Sequence, residues 1–237
     1  MPATAAHAAF QQNSRDVDRL MEFHRNEGGS KKGRRWRLEV LNKSAIVLLC
    51  AAWEAYCEDV VGAVVAHYVD HAPVATKLPH ALKEKITGEL TAKGETYRVW
   101  ELAGDGWRDL LRSRLADLKT KRDRDLNTPK ADRLRVFFRH SVGCDDITKH
   151  WSWRRTTPAA ATERLDAFVE LRGSIAHRAE GTASVTKRDV MTTKRLVRDL
   201  VNATDAAMIA LALDVTGTPM RDTEPTNSDV LSPVDEG

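Results

Sequence analysis

Apolar residues recur along this chain at three- and four-residue intervals, with no alternating run of β-branched and aromatic residues ending in a hairpin turn. That period predicts helices almost throughout. A first helix is expected over about 3–26, closed by Glu27-Gly28-Gly29-Ser30. After a basic stretch, a long and nearly all-apolar helix runs to about Val69. Pro73 and Pro79 punctuate the next connection, and shorter helices follow over about 80–93 and 105–121. Two Thr-Pro steps, Thr128-Pro129 and Thr157-Pro158, each read as a hydroxyl N-cap followed by proline at the first helical position. The first opens a helix with Leu134, Phe137 and Phe138 on one face, ending near Gly143. The second opens one with Leu165, Phe168, Val169 and Ile175, ending by Gly181. A last helix over about 186–213 is expected to bury Val190, Val197, Val201, Met208 and Leu211. The fold class is all-α, a bundle of six to seven helices.

The predicted organisation is one domain over 1–215, with its core at about 37–213, and a disordered acidic tail over 216–237. No repeat at solenoid spacing appears. The apolar run Ala45–Trp53 is too short to cross a bilayer, so no membrane association is expected. The first residues carry no basic segment leading into an apolar one, which predicts no signal peptide. Three cysteines, Cys50, Cys57 and Cys144, are too few and too oddly placed for a disulfide framework or a zinc site. Cys50 and Cys57 are expected to act as small core hydrophobes. A reducing cytoplasm is the expected location, and no metal or other cofactor is expected.

Charge sharpens this picture. The net charge is +3, yet from Asp214 onward six acids face a single base, Arg221. The body is therefore basic, and 24 arginines outnumber 13 lysines. A guanidinium forks onto phosphate oxygens, so an arginine-rich body suits phosphate recognition, although it also serves solubility. The loop Lys31, Lys32, Gly33, Arg34, Arg35, Trp36, Arg37 can clamp a nucleic-acid backbone with Trp36 stacking on a base. Trp151 and Trp153, ahead of Arg154 and Arg155, form a second aromatic-basic cluster.

An arginine and a histidine separated by four residues occur three times, as Arg19/His24, Arg135/His140 and Arg172/His177. Chance alone accounts for about one such pair, so spacing does not choose among them. The third follows an apolar helix and falls in its last turns. Five positions along a helix set two side chains roughly 140° apart, so one straight helix does not aim both at one point. Two copies meeting near a two-fold axis can. The alternative is a helix end in which His177 caps carbonyls and Arg172 forms a salt bridge.

The segment Phe168-Val169-Glu170-Leu171-Arg172-Gly173-Ser174-Ile175-Ala176-His177 resembles the signature helix of the HEPN superfamily (higher eukaryotes and prokaryotes nucleotide-binding). Two further segments resemble its prokaryotic RiboL-PSP-HEPN branch. One is the apolar run Ser44–Tyr56, which ends in Trp53-Glu54-Ala55-Tyr56. The other is Asn127-Thr128-Pro129-Lys130, leading to Phe137-Phe138 and Asp145-Asp146-Ile147. The resemblance implies a helical bundle that dimerises and acts as a metal-independent endoribonuclease, often in toxin–antitoxin or phage-defence systems. It implies Arg172 and His177 as the catalytic pair. RNA, a second copy of the chain and an antitoxin or defence-system protein would be the partners.

Two positions depart from that pattern. Gly173 stands where the family often has asparagine or another polar residue, and Ala179 where some relatives carry tyrosine. Glu54, a lone carboxylate in an apolar run, is a candidate to orient Arg172 or His177, or else an edge position reaching solvent. Ser174 can touch phosphate or bond back to its own helix. Two other readings stay open: a non-catalytic HEPN-like dimerisation or nucleotide-sensing module, and a helical protein-interaction subunit.

Overall fold

The computed structural model describes residues 3–28, 38–120, 128–177 and 184–220. Among these residues there are seven α-helices and no strand beyond a single isolated bridge. In chain order they are α1 (Ala5–Gly28), α2 (Glu39–His71), α3 (His80–Thr91), α4 (Gly106–Thr120), α5 (Ala131–Val142), α6 (Pro158–His177) and α7 (Lys187–Thr216). None is long and apolar enough to cross a membrane. The basic loop 31–37 and the tail from 221 lie outside the described residues.

The α2 helix is the axis of the bundle because it has almost no polar face. Ile46, Leu49, Trp53, Tyr56, Cys57, Val60, Val61, Val64 and Tyr68 are buried around its circumference. A helix apolar on all sides is stable only when surrounded, and α1, α4, α5, α6 and α7 all pack on it. Phe10, Val17 and Met21 from α1, and Val190, Val197, Leu200, Val201 and Met208 from α7, close the same core, with Leu211 partly buried at its margin.

Most polar groups inside this core are paired, as burial requires; among the described residues the Asn42 Oδ1 and the Trp53 indole N–H are buried without a partner. The buried Asp205 of α7 accepts from the Thr4 backbone N–H at 3.1 Å, from the Thr4 hydroxyl at 2.5 Å and from the Tyr56 hydroxyl at 3.3 Å. The Asn42 side-chain amide donates to the Val185 carbonyl at 2.9 Å, which fixes the segment leading into α7 against the start of α2.

The two Thr-Pro starts resolve differently. Thr157 caps α6, accepting from the Ala160 N–H at 3.3 Å with Pro158 as the first helical residue. Thr128 does not cap α5, which begins two residues beyond Pro129. There the Ala131 N–H donates to the Asp166 carboxylate of α6 at 2.9 Å. A carboxylate from a neighbouring helix does the work assigned to the local hydroxyl, and it places the start of α5 against the middle of α6.

Candidate functional site

Arg172 lies on α6, partly buried, six residues along from the Asp166 that caps α5. It forms no ion pair with a described residue. The other two arginines at the same spacing do: Arg19 pairs with Asp16 at 3.0 Å, and Arg135 with Asp132 and, at 3.2 Å, with Asp146. Their positive charge is already held in ion pairs, whereas Arg172 has none within the described part.

Glu54 on α2 is partly buried. Burial pushes the Cys50 thiol of α2 up to about 11, while Arg172 pulls it down and Glu54 pushes it up. Coulombic effects fall off with distance, so both charges lie near the same buried sulfur. The α2–α6 packing thus brings Arg172 of α6 and Glu54 of α2 within electrostatic reach of Cys50. All three cysteines are buried and free.

The Ser174 hydroxyl donates to the Leu171 carbonyl at 2.8 Å, a bond back onto its own helix. At Gly173 a Cβ would meet no atom within 4 Å. Packing does not require glycine there, and a larger residue has room. His177 is the last residue of α6, and its side chain lies outside the described part. Beside this end of α6, Ile175 joins Leu20, Val40, Val47 and Leu48 around an apolar groove of about 600 Å³. Val40 is 61% exposed and Leu48 41% exposed.

The two tryptophans of the second aromatic-basic cluster separate. Trp151 is fully buried, packs edge-on against Trp53 and donates its indole N–H to the Thr204 hydroxyl at 2.9 Å. It is a core residue and cannot stack on a base, a correction to the sequence reading. Trp153 is partly exposed. It pairs with Thr156 through two backbone hydrogen bonds, so Arg154 and Arg155 form the tip of a tight turn. Arg155 takes φ 62°, a left-handed conformation that L side chains rarely adopt.

That turn opens a groove of about 580 Å³ between α6 and α7, lined by Trp153, Arg154, Arg164, Arg188 and Arg195 over a floor that includes Phe168 and Leu196. The sequence reading selected only Trp153 and Arg154 from this lining as an aromatic-basic cluster. Arg164, Arg188 and Arg195 come from two helices and share no local pattern. One signal was present: Lys187 and Arg188 open α7, where cations oppose the helix dipole.

Residues 13–210 match the RiboL-PSP-HEPN family. No curated protein and no solved structure matches the chain. The match takes in α2, α5 and α6 with the Trp53–Tyr56, Phe137-Phe138 and Arg172–His177 segments in order, and this all-helical chain belongs to the RiboL-PSP-HEPN family.

Proposed function

We propose that the protein is an endoribonuclease in which Arg172 and His177 from two copies of the chain act on one phosphodiester. The observation that carries this reading is that Arg172 has no ion pair among the described residues, set beside the ion-paired Arg19 and Arg135. RNA supplies its own nucleophile, the 2′-hydroxyl next to the scissile phosphate. His177 would take that proton as general base, or protonate the departing 5′-oxygen. The Arg172 guanidinium would hold the extra negative charge of the phosphorane with two parallel N–H donors. Attack by the 2′-oxygen forms the new P–O bond as the bond to the 5′-oxygen breaks, leaving a 2′,3′-cyclic phosphate and a 5′-hydroxyl. Glu54 would act through Arg172 as a positioning residue.

The second copy is needed because five helical positions turn Arg172 and His177 away from each other. The apolar groove around Ile175, flanked by the exposed Val40 and Leu48, supports a contact between copies at this end of α6. The setting that fits such an activity is a toxin or phage-defence effector held in check by a partner protein.

The test compares wild type with His177→Ala on total RNA in the presence of EDTA. Wild type should cleave RNA but not DNA, and the variant should leave RNA intact. Intact RNA with both proteins, or a strictly monomeric species by analytical ultracentrifugation, removes this reading. Cell toxicity lost in the same variant would mark a nuclease toxin.

A second reading, a non-catalytic dimerisation or nucleotide-sensing module, is favoured by Gly173. The family often has a polar residue there, and the open space around Gly173 leaves it without a packing reason. Gly173→Asn separates the two: gain of cleavage only in that variant supports the module.

A further inference from the structure

We propose that the α6–α7 groove is a binding site for the nucleoside phosphates of single-stranded RNA, separate from the Arg172/His177 pair. Four arginines from three segments meet there: Arg154 from the turn after the 3-10 segment Ile147–His150, Arg164 from α6, and Arg188 and Arg195 from α7. All four are exposed. Arg164 reaches the Thr156 hydroxyl at 3.5 Å, while Arg154, Arg188 and Arg195 form no ion pair with a described residue.

Two acids also line the groove, and both are already engaged. Asp189 accepts from the Thr186 backbone N–H and hydroxyl, at 2.8 and 2.7 Å, in the capping box of α7. Asp199 accepts two bonds from Arg198, at 3.1 and 2.8 Å. The groove therefore carries more positive charge than its own acids neutralise.

Stability does not explain this arrangement. Arg188 lies in the first turn of α7, where the helix dipole opposes a cation, and the other arginines add like charge around one space. An anion in the groove relieves both. The floor narrows the class of anion. Phe168, Leu171, Leu196 and the partly exposed Trp153 form an apolar surface beneath the arginine rim. A nucleotide has the matching two halves, a planar base for the floor and a phosphate for the guanidinium forks. A volume of about 580 Å³ accommodates a ligand of that size. Along α6 the lining runs from Arg164 to Leu171, about 10 Å of helix, and stops one residue short of Arg172. A strand lying there would continue toward the proposed cleavage site, yet its binding does not depend on cleavage.

The test uses full-length protein and a fluorescently labelled 2′-O-methyl oligoribonucleotide, which lacks the attacking hydroxyl and cannot be cut. Anisotropy is read over a salt series. Arg188→Gln/Arg195→Gln should bind about tenfold more weakly, with the salt slope reduced by about 1.4 for two lost phosphate contacts. Arg98→Gln/Arg112→Gln removes the same charge from one partly exposed and one exposed position on the α3–α4 side and should change binding little. All four arginines are on the surface, and unchanged thermal melting confirms intact folding. Adenosine monophosphate as competitor distinguishes the sources: displacement indicates that free nucleotides also enter, and none indicates that a strand is required. Equal loss in both double variants, or displacement by polyglutamate as effective as by RNA, overturns the proposal. Binding through the groove by a wild-type protein that cleaves nothing would remove the nuclease reading and leave this one standing.

Discussion

The two halves of α6 differ in what their polar groups do. In the first half, Asp166 caps α5 at 2.9 Å and Thr157 caps α6 itself at 3.3 Å. Those groups are consumed in building the fold. In the second half, Arg172 has no ion partner among the described residues, and Gly173 has open space around it. One helix thus carries a carboxylate consumed in building the fold and, six residues on, an arginine with no ion pair among the described residues. Internal satisfaction is what stability demands, and a departure from it on an otherwise well-packed helix is the reason for proposing Arg172 as part of the site.

Substitutions in the two halves should therefore separate stability from activity. The largest expected effect is on activity. Arg172→Gln should lower RNA cleavage by about 10²–10³-fold, the cost of removing one charge-stabilising donor, while leaving the urea midpoint nearly unchanged. A comparable loss of stability would show Arg172 to be structural and end the contrast.

Next comes the polar core that holds α7 in place. Asp205→Ala strands the Thr4 N–H and hydroxyl and takes one acceptor from the Tyr56 hydroxyl. Buried donors left unsatisfied cost about 1–3 kcal/mol each, so urea unfolding should show a loss of about 2–4 kcal/mol. A loss below 0.5 kcal/mol, on the scale of an ordinary surface change, would mean these bonds are not formed in solution.

Asp166→Ala should cost about 1 kcal/mol, the usual worth of a helix cap, with cleavage retained. Activity lost beyond the loss of folded protein would break the division of α6 into two halves.

The smallest effect is a gain. Gly173→Ala should stabilise by about 0.5–1 kcal/mol, because alanine removes backbone freedom that glycine must lose in a helix. Destabilisation would show that the space around Gly173 is filled in solution, most simply by a second copy of the chain.

Much of the fold was legible from the sequence. Apolar periodicity located all seven helices to within a few residues, since each must present an apolar stripe to the core. The Thr157-Pro158 cap was readable because that capping bond is local. The start of α5 was misread because its cap comes from Asp166, far along the chain, and no local pattern encodes it. Trp151 was read as half of an aromatic-basic cluster because basic neighbours suggest exposure. Its burial against Trp53 and Thr204 is a fact of packing.

The chain's own order of residues determined the all-helical class, the α2 axis and the RiboL-PSP-HEPN membership, because propensity, period and signature segments are properties of neighbours in sequence. Only the tertiary structure decided that Arg172 of α6 and Glu54 of α2 both act on Cys50, and that Arg135 is spent on Asp146. It alone gathered Arg154, Arg164, Arg188 and Arg195 around one groove. Charge acts through space, and which charges meet is settled only when the helices pack.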